Sequence, residues 1–377
     1  MRFLVRLAAP LSLALALFSP ACGGPSSPAD TGGVGGKGQG SGGAGGGGGG
    51  APKGSVLSVA CGDFHSCALL ADRSVRCWGR NKSGEVGDPS NTEHLRPVAV
   101  PGLSGVEELA LGSNFSCARL SDGTVKCWGS GRILGDNKFQ ERLPPTTVPG
   151  ISDAKQLRAG GYLACAVTGS GDVKCWGSDR GTGAPRPVAE VAVAGAHGCA
   201  RMVDGAARCW GEGIWGSPGR ESFARPAVTG AIRIGTGDGF ACAIVEGGSV
   251  RCWGRNDQGE LGVQADGDNH VEPTTVPLVK GAVEITAAEA HACVVDAAHH
   301  AICWGANDEG ELGRGTRSQS EPPGPIPGLD VRTLSIGADH ACAVAMDGGV
   351  YCWGNNKNGQ VGDGTNERRT TPVRVAL

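Results

Sequence analysis

Sixteen cysteines are the residues here whose type and spacing could do chemistry, and all but two fall into pairs ten positions apart. The pairs are Cys67 and Cys77, Cys117 and Cys127, Cys165 and Cys175, Cys199 and Cys209, Cys242 and Cys252, Cys293 and Cys303, and Cys342 and Cys352. Each second cysteine is followed at once by Trp-Gly. His65, His197, His291 and His340 stand two residues before a first cysteine, so thiolate and imidazole metal binding is the first chemistry to weigh. Comparison of the seven copies argues against it. The same position holds Phe115, Leu163 and Phe240 elsewhere, side chains that cannot ligate, and a spacing of ten is not a zinc-knuckle spacing. The histidines therefore read as packing residues, and no metal or other cofactor is expected.

The repeated tryptophans invite a reading as a ligand-stacking belt, but seven copies at one repeated place suit packing between units better than one ligand site. Trp215 lies outside the repeat position, and two readings stand for it: a binding anchor on a rim or a residue packing its own loop. Cys61 and Cys22 lie outside the pairs, and Cys61 reads as an inert buried thiol. Asp266, Asp268 and Asn269 could meet Ca²⁺, yet the glycine and terminal glutamate of an EF-hand loop are missing, so a solvated acidic loop is expected. No Ser, His and Asp arrangement, phosphate loop or paired carboxylates stand above the repeat, and no catalytic residue is assigned.

The elements that position the cysteines follow from the period. First cysteines are separated by 50, 48, 34, 43, 51 and 49 residues, through segments dense in Gly, Pro, Asp and Asn. That spacing predicts a four-stranded unit and little helix. In the first copy the strands fall at Val56 to Ala60, Cys67 to Leu70, Val75 to Trp78 and Pro97 to Val100, with Asp72-Arg73 in the hairpin turn and Pro97 opening the fourth strand. In such a hairpin Cys67 and Cys77 lie opposite each other, within disulfide range, and so do the other six pairs. Closing an 11-residue loop is worth about 2.5 to 3 kcal/mol, less where the hairpin is already local. Fourth-strand segments recur near Pro97, Pro145, Pro187, Pro226, Pro273, Pro325 and Pro372. The expected fold is all-β: a seven-bladed β-propeller over residues 56–377, closed by the C-terminal strand pairing beside the N-terminal ones.

The run Gly62-Asp63-Phe64-His65-Ser66-Cys67-Ala68-Leu69, followed by Trp78-Gly79-Arg80-Asn81-Lys82-Ser83-Gly84-Glu85-Val86-Gly87, resembles the repeat of the regulator of chromosome condensation family. Trp253 to Gly262 and Trp353 to Gly364 resemble it more closely still. The resemblance covers residues 56–377 and implies the family's seven-bladed propeller. Two features depart from the family's pattern: the loop after Trp176 is cut short, and the cysteine pair in every unit is similar to exported bacterial members rather than eukaryotic ones.

Arg2 and Arg6 precede an apolar run, Leu7 to Ala21, with the length of a signal-peptide core, so residues 1–21 read as a signal peptide. Ser19-Pro20-Ala21-Cys22-Gly23 resembles a bacterial lipoprotein signal, which implies lipidation of Cys22; cleavage without lipid, giving a freely secreted protein, is the alternative. Residues 22–55 are almost wholly small residues and read as a flexible tether with a reach of roughly 30 Å. Gly23 after the lipid-bearing cysteine implies delivery to the outer membrane. A net charge of -3 and a pI near 6.3 give no footprint for nucleic acid.

The expected protein is therefore a monomeric, non-enzymatic module, held to the membrane only by its lipid, that binds a protein or an envelope polymer. Contacts are expected in the loops after Trp-Gly, at Phe139, Trp215, Arg220, Phe223 and His270. Three other classes are weighed. An exported enzyme inhibitor follows from the resemblance, since a secreted propeller of this repeat type caps β-lactamases. Guanine-nucleotide exchange or chromatin binding follows from the nuclear members, against which export and the acidic balance count. A hydrolase or lyase would require convergent carboxylates with perturbed titration in the central channel.

Overall fold

The computed structural model describes residues 55–134, 143–177, 186–195, 197–211 and 228–377. The expected signal segment, Cys22 and all of the expected tether but Ser55 lie outside these residues, as do Phe139, Trp215, Arg220 and Phe223.

The first unit is a four-stranded antiparallel sheet in the order β1 (Val56–Cys61), β2 (His65–Leu70), β3 (Val75–Gly79) and β4 (His94–Ala99). All six positions of β2 are buried, because neighbouring sheets cover both of its faces. The turn between β2 and β3 is built by Asp72, whose Oδ1 accepts hydrogen bonds from the Ser74 amide at 3.0 Å and hydroxyl at 2.6 Å. Arg73 takes a left-handed φ of 65° there, the conformation that Gly123, Gly205 and Gly348 adopt freely in sister turns. This turn sets the register. Cys67 lies opposite Cys77, and the same pairing recurs in all seven hairpins, with Cα atoms 3.9 to 4.1 Å apart and sulfurs bonded.

The fourth strands differ from expectation. Pro97 sits inside β4 rather than at its start, where the ladder slips between Cys77 and Gly79; Pro273 and Pro372 sit at the same slip in their own sheets. An edge strand tolerates the missing amide at such a break. Pro187 leads directly into Val188–Ala194, the first strand of the fourth unit, so it provides no separate fourth strand for the shortened third unit. In the sixth unit the fourth strand does not end. Ser318–Ile336 pairs with His300–Asn307 along its first part and with His340–Ala345 along its last, fusing two units into one seven-stranded sheet.

The expected pairing of the C-terminal strand beside the N-terminal strands is corrected. Arg369–Val375 pairs with Val350–Gly354 of its own unit, a partner close in sequence, whereas the N-terminal strands lie about 300 residues away and would cost more closure entropy. The two ends meet through side chains instead. Val56, Val59, Leu70 and Trp78 share one buried cluster with Val344, Val350, Val361 and Val375, and the Ser335 hydroxyl accepts the Cys61 amide at 3.0 Å.

Four of the repeat tryptophans donate their indole N–H to a backbone carbonyl of a neighbouring unit. Trp128 bonds the Glu85 carbonyl at 2.9 Å, Trp304 that of Glu260 at 2.9 Å, Trp353 that of Glu311 at 2.8 Å, and Trp78 that of Gln360 at 2.8 Å. A buried indole thus packs an apolar body between sheets while its one donor is satisfied.

Candidate functional site

The ends of the first strands converge on a cavity of about 340 Å³. They approach so closely that a Cβ on Gly337 would lie 2.1 Å from the Gly62 carbonyl oxygen, and one on Gly62 would lie 2.4 Å from that of Gly112. Asp63, Ser113, Asp238 and Glu289 follow these strand ends and line the cavity, with Phe64 and Tyr162 beside them. A second cavity of about 440 Å³ shares Asp238, Glu289 and Ala338 with the first and adds Asp257, Asp308, Glu311, Asp339 and one cation, Arg255.

The carboxylates here are crowded. Burial raises Glu289, and Asp339, Asp63 and Asp238 raise it further by repulsion. Burial raises Asp63 too, against a hydrogen bond from the Ser113 hydroxyl and the charge of Arg80. Asp339 is raised first by burial and then, against a bond from Asn355, by Glu309 and Asp63. Burial pushes Glu311 up to about 7, with Asp339 and Asp308 adding repulsion. Among the described residues no three His, Cys, Asp or Glu side chains are grouped to hold a metal ion.

The loop after Trp-Gly places Glu311. In the first, fifth, sixth and seventh units the seventh residue after Trp folds back to accept an amide two residues earlier. Glu85 takes the Ser83 amide at 2.7 Å, Glu260 that of Gln258 at 2.8 Å, Glu311 that of Glu309 at 2.8 Å, and Gln360 that of Asn358 at 2.9 Å. The other oxygen of Glu85 meets Arg80 at 2.8 Å, and that of Glu260 meets Arg255 at 2.9 Å. Where those arginines stand, the sixth unit has Ala306 and the seventh Asn355.

Cys61 lines the first cavity as a buried thiol: burial pushes it up to about 12, away from the thiolate form that reacts, and its Sγ donates to the Ser335 carbonyl at 3.4 Å. His270 lies on the edge strand Asn269–Thr275, 2.9 Å from Asp266, and lines neither cavity. It is the one residue of the expected contact set inside the described residues. Sequence reading passed over Asp63, Asp238, Glu289, Glu311 and Asp339. The signal that could have found Glu311 was present: a Glu repeated in three units, and an Arg five residues before it in only two.

Repeated antiparallel sheets, nearly without helix and packed face to face around a common cavity, define a β-propeller. The chain belongs to the regulator of chromosome condensation (RCC1) repeat family: models of this repeat match residues 56–85, 106–132, 231–260 and 331–360, and residues 247–295, 300–344 and 347–377. Prp20p from Saccharomyces cerevisiae is similar at 21% identity over 86% of this chain and 88% of its own, with a TM-score of 0.71. Human WBSCR16 aligns at 18% identity over 81% of this chain and 95% of its own, TM-score 0.68. The ectodomain of the Arabidopsis thaliana receptor kinase ACR4 aligns at 19% identity over 86% and 99%, TM-score 0.54. At these identities the likeness speaks to the fold alone. Among the described residues no helix is long and apolar enough to cross a membrane.

Proposed function

We propose that the chain is a non-enzymatic binding module, displayed at the cell envelope, whose acidic cavity mouth receives a basic surface of a partner protein. The observation that carries this reading is Glu289, whose carboxyl is raised above its ordinary range by burial and by repulsion from Asp339, Asp63 and Asp238, against the charge of Arg255. Negative charge that outnumbers the neighbouring cations Arg80 and Arg255 is relieved when a further cationic group docks. Tyr162, 61% exposed beside this mouth, supplies an amphipathic contact of the kind that anchors interfaces.

A ring of seven blades presents this mouth. Seven disulfide hairpins support that count, and the cluster joining Val56 and Trp78 to Val344 and Val375 supports closure from the seventh unit to the first. The disulfides suit an oxidising compartment. A signal peptide over 1–21, lipid on Cys22 and a tether over 22–55 complete the display of a monomer, and the acidic mouth disfavours nucleic acid. Prp20p, characterised for its binding to Gsp1p and histones, is a protein-binding relative in fold.

The test is photo-crosslinking on intact cells from a photoreactive residue at position 162. One specific protein should be captured, and capture should fall when Asp63→Asn and Asp339→Asn are combined. Unchanged capture in that variant overturns the acidic mouth as the contact. If the captured protein is an envelope hydrolase that loses activity, the inhibitor reading replaces simple display. One observation favours an enzyme as a second reading: raised carboxylates converging on a cavity are what a general acid requires. Hydrolysis of an envelope polymer that disappears with the same double variant would establish it.

A further inference from the structure

Glu311 is 3% exposed, and it is the one buried glutamate of this loop position without an arginine. Its Oε2 is taken by the Glu309 amide, and no side chain among the described residues donates to its Oε1. The residue lines the second cavity, together with Glu289, Asp308 and Asp339. The nearby cations meet other carboxylates: Lys357 and Arg368 pair with Glu309 at 3.4 and 2.5 Å, and Arg255 pairs with Glu260 at 2.9 Å and more loosely with Asp238 and Asp257 at 3.6 and 3.9 Å. The sister units show two ways of settling the same position. The first and fifth bring a guanidinium from within the unit, and the seventh replaces the carboxylate by the neutral Gln360. The sixth does neither.

We infer that Glu311, with Glu289, Asp308 and Asp339 around it, is a socket for an arginine side chain presented by the partner protein. The guanidinium supplies in trans what Arg80 and Arg255 supply within their own units, and its N–H donors can meet Glu311 and a neighbouring carboxylate together. Lysine, a point charge without the planar fork, fits the position less well. This rests on reading the chain as a protein-binding propeller, and it names the chemical group that the mouth recognises.

The experiment uses the full mature chain with its disulfides formed and titrates N-acetyl-arginine methylamide by ligand-detected NMR, with the lysine and citrulline analogues as controls. Saturable arginine binding is expected, with both controls weaker by about tenfold or more. Glu311→Gln, which copies Gln360 and so keeps the loop, should weaken arginine binding by about tenfold. Ala306→Arg should fill the socket from within the unit, abolish binding and raise Tm by roughly 2 °C or more. Absent binding, equal binding of lysine or citrulline, or an unchanged affinity in folded Glu311→Gln overturns the socket. If the socket fails while crosslinking from position 162 still depends on Asp63 and Asp339, the binding-module reading stands without it.

Discussion

His340 Nε2 lies 2.8 Å from Ser66 Oγ, a buried hydrogen bond between the seventh and first repeat units across 274 residues of chain. The Ser66 hydroxyl donates its only proton to the Gln360 carbonyl at 2.9 Å, so the imidazole must be the donor and carries its proton on Nε2. His65 and Ser116 repeat the arrangement at 2.7 Å, with Ser116 donating to the Glu85 carbonyl at 2.8 Å. Where the histidine is replaced by Phe115, Leu163 or Phe240, the place of the serine in the next unit holds Ala164, Gly198 or Ala292. Donor and acceptor are exchanged together for an apolar pair, as buried polar groups require.

Ser66→Ala should leave the buried imidazole of His340 without a partner and cost about 1 to 3 kcal/mol in chemical denaturation. Combining it with His340→Phe, which copies Phe240 and Ala292, should recover most of that loss. A double variant no better than Ser66→Ala would show that the bond does not act as a pair.

His291 tests the same rule from the opposite side. The serine position facing it is Ala341, and neither of its ring nitrogens has a partner. Ala341→Ser places a hydroxyl where Ser66 and Ser116 stand and should stabilise by about 1 kcal/mol. A loss of stability would mean that the hydroxyl finds no acceptor.

The buried histidines set the acid limb of the stability profile. Burial lowers His65 and His340 to about 3 and His291 to about 4, below the 6.5 of the unfolded chain. The unfolded state therefore binds more protons in this window, and stability falls as pH drops from 6.5 toward 3. His340→Phe with Ser66→Ala should flatten that fall, as followed by urea midpoints between pH 3 and 7.

Glu311 acts with the opposite sign. Its folded value of about 7 lies above the ordinary 4.5 of the unfolded chain, so its contribution is present below pH 4.5 and lost as pH rises through 7. Asp339 and Asp308 repel its charge, and no cation among the described residues pairs with it. Glu311→Gln should therefore gain on the order of 1 to 3 kcal/mol over the parent at pH 8 and little at pH 4. A gain independent of pH would assign the effect to packing.

Peptide mapping without reductant should return Cys67 joined to Cys77 and the six equivalent links, while Cys61 should resist alkylation until the chain unfolds. Links between units would contradict the hairpin register. Rapid alkylation of native Cys61 would contradict its burial at 8% exposure.

Much of the fold was legible because the hairpin is a local object. Ten residues from cysteine to cysteine, with Asp72 or Asp122-Gly123 midway, settle turn, register and cross-strand pairing within one short segment. The fourth strands were less legible. Pro97 and Pro372 mark them, but where each ladder slips depends on the bulge opposite, and the fusion through Ser318–Ile336 depends on two neighbours at once. The candidate site was the least legible part, since Asp63, Asp238, Glu289 and Asp339 are scattered over 276 residues and share no motif. His270, singled out for its place in a long loop, stands away from them.

By itself the sequence determined the repeat, the cysteine spacing that places each pair across a hairpin and the all-β class, because each rests on contacts within one unit or on comparison between copies. Only the tertiary structure decided how the ends meet, that the strand at Arg369–Val375 stays in its own sheet, and that carboxylates from separate units crowd two cavities that share Asp238 and Glu289. These depend on which units become neighbours. A backbone carbonyl that accepts Trp78, and a glutamate without a paired arginine because Ala306 stands in its place, acquire their meaning only when the adjacent unit is in place.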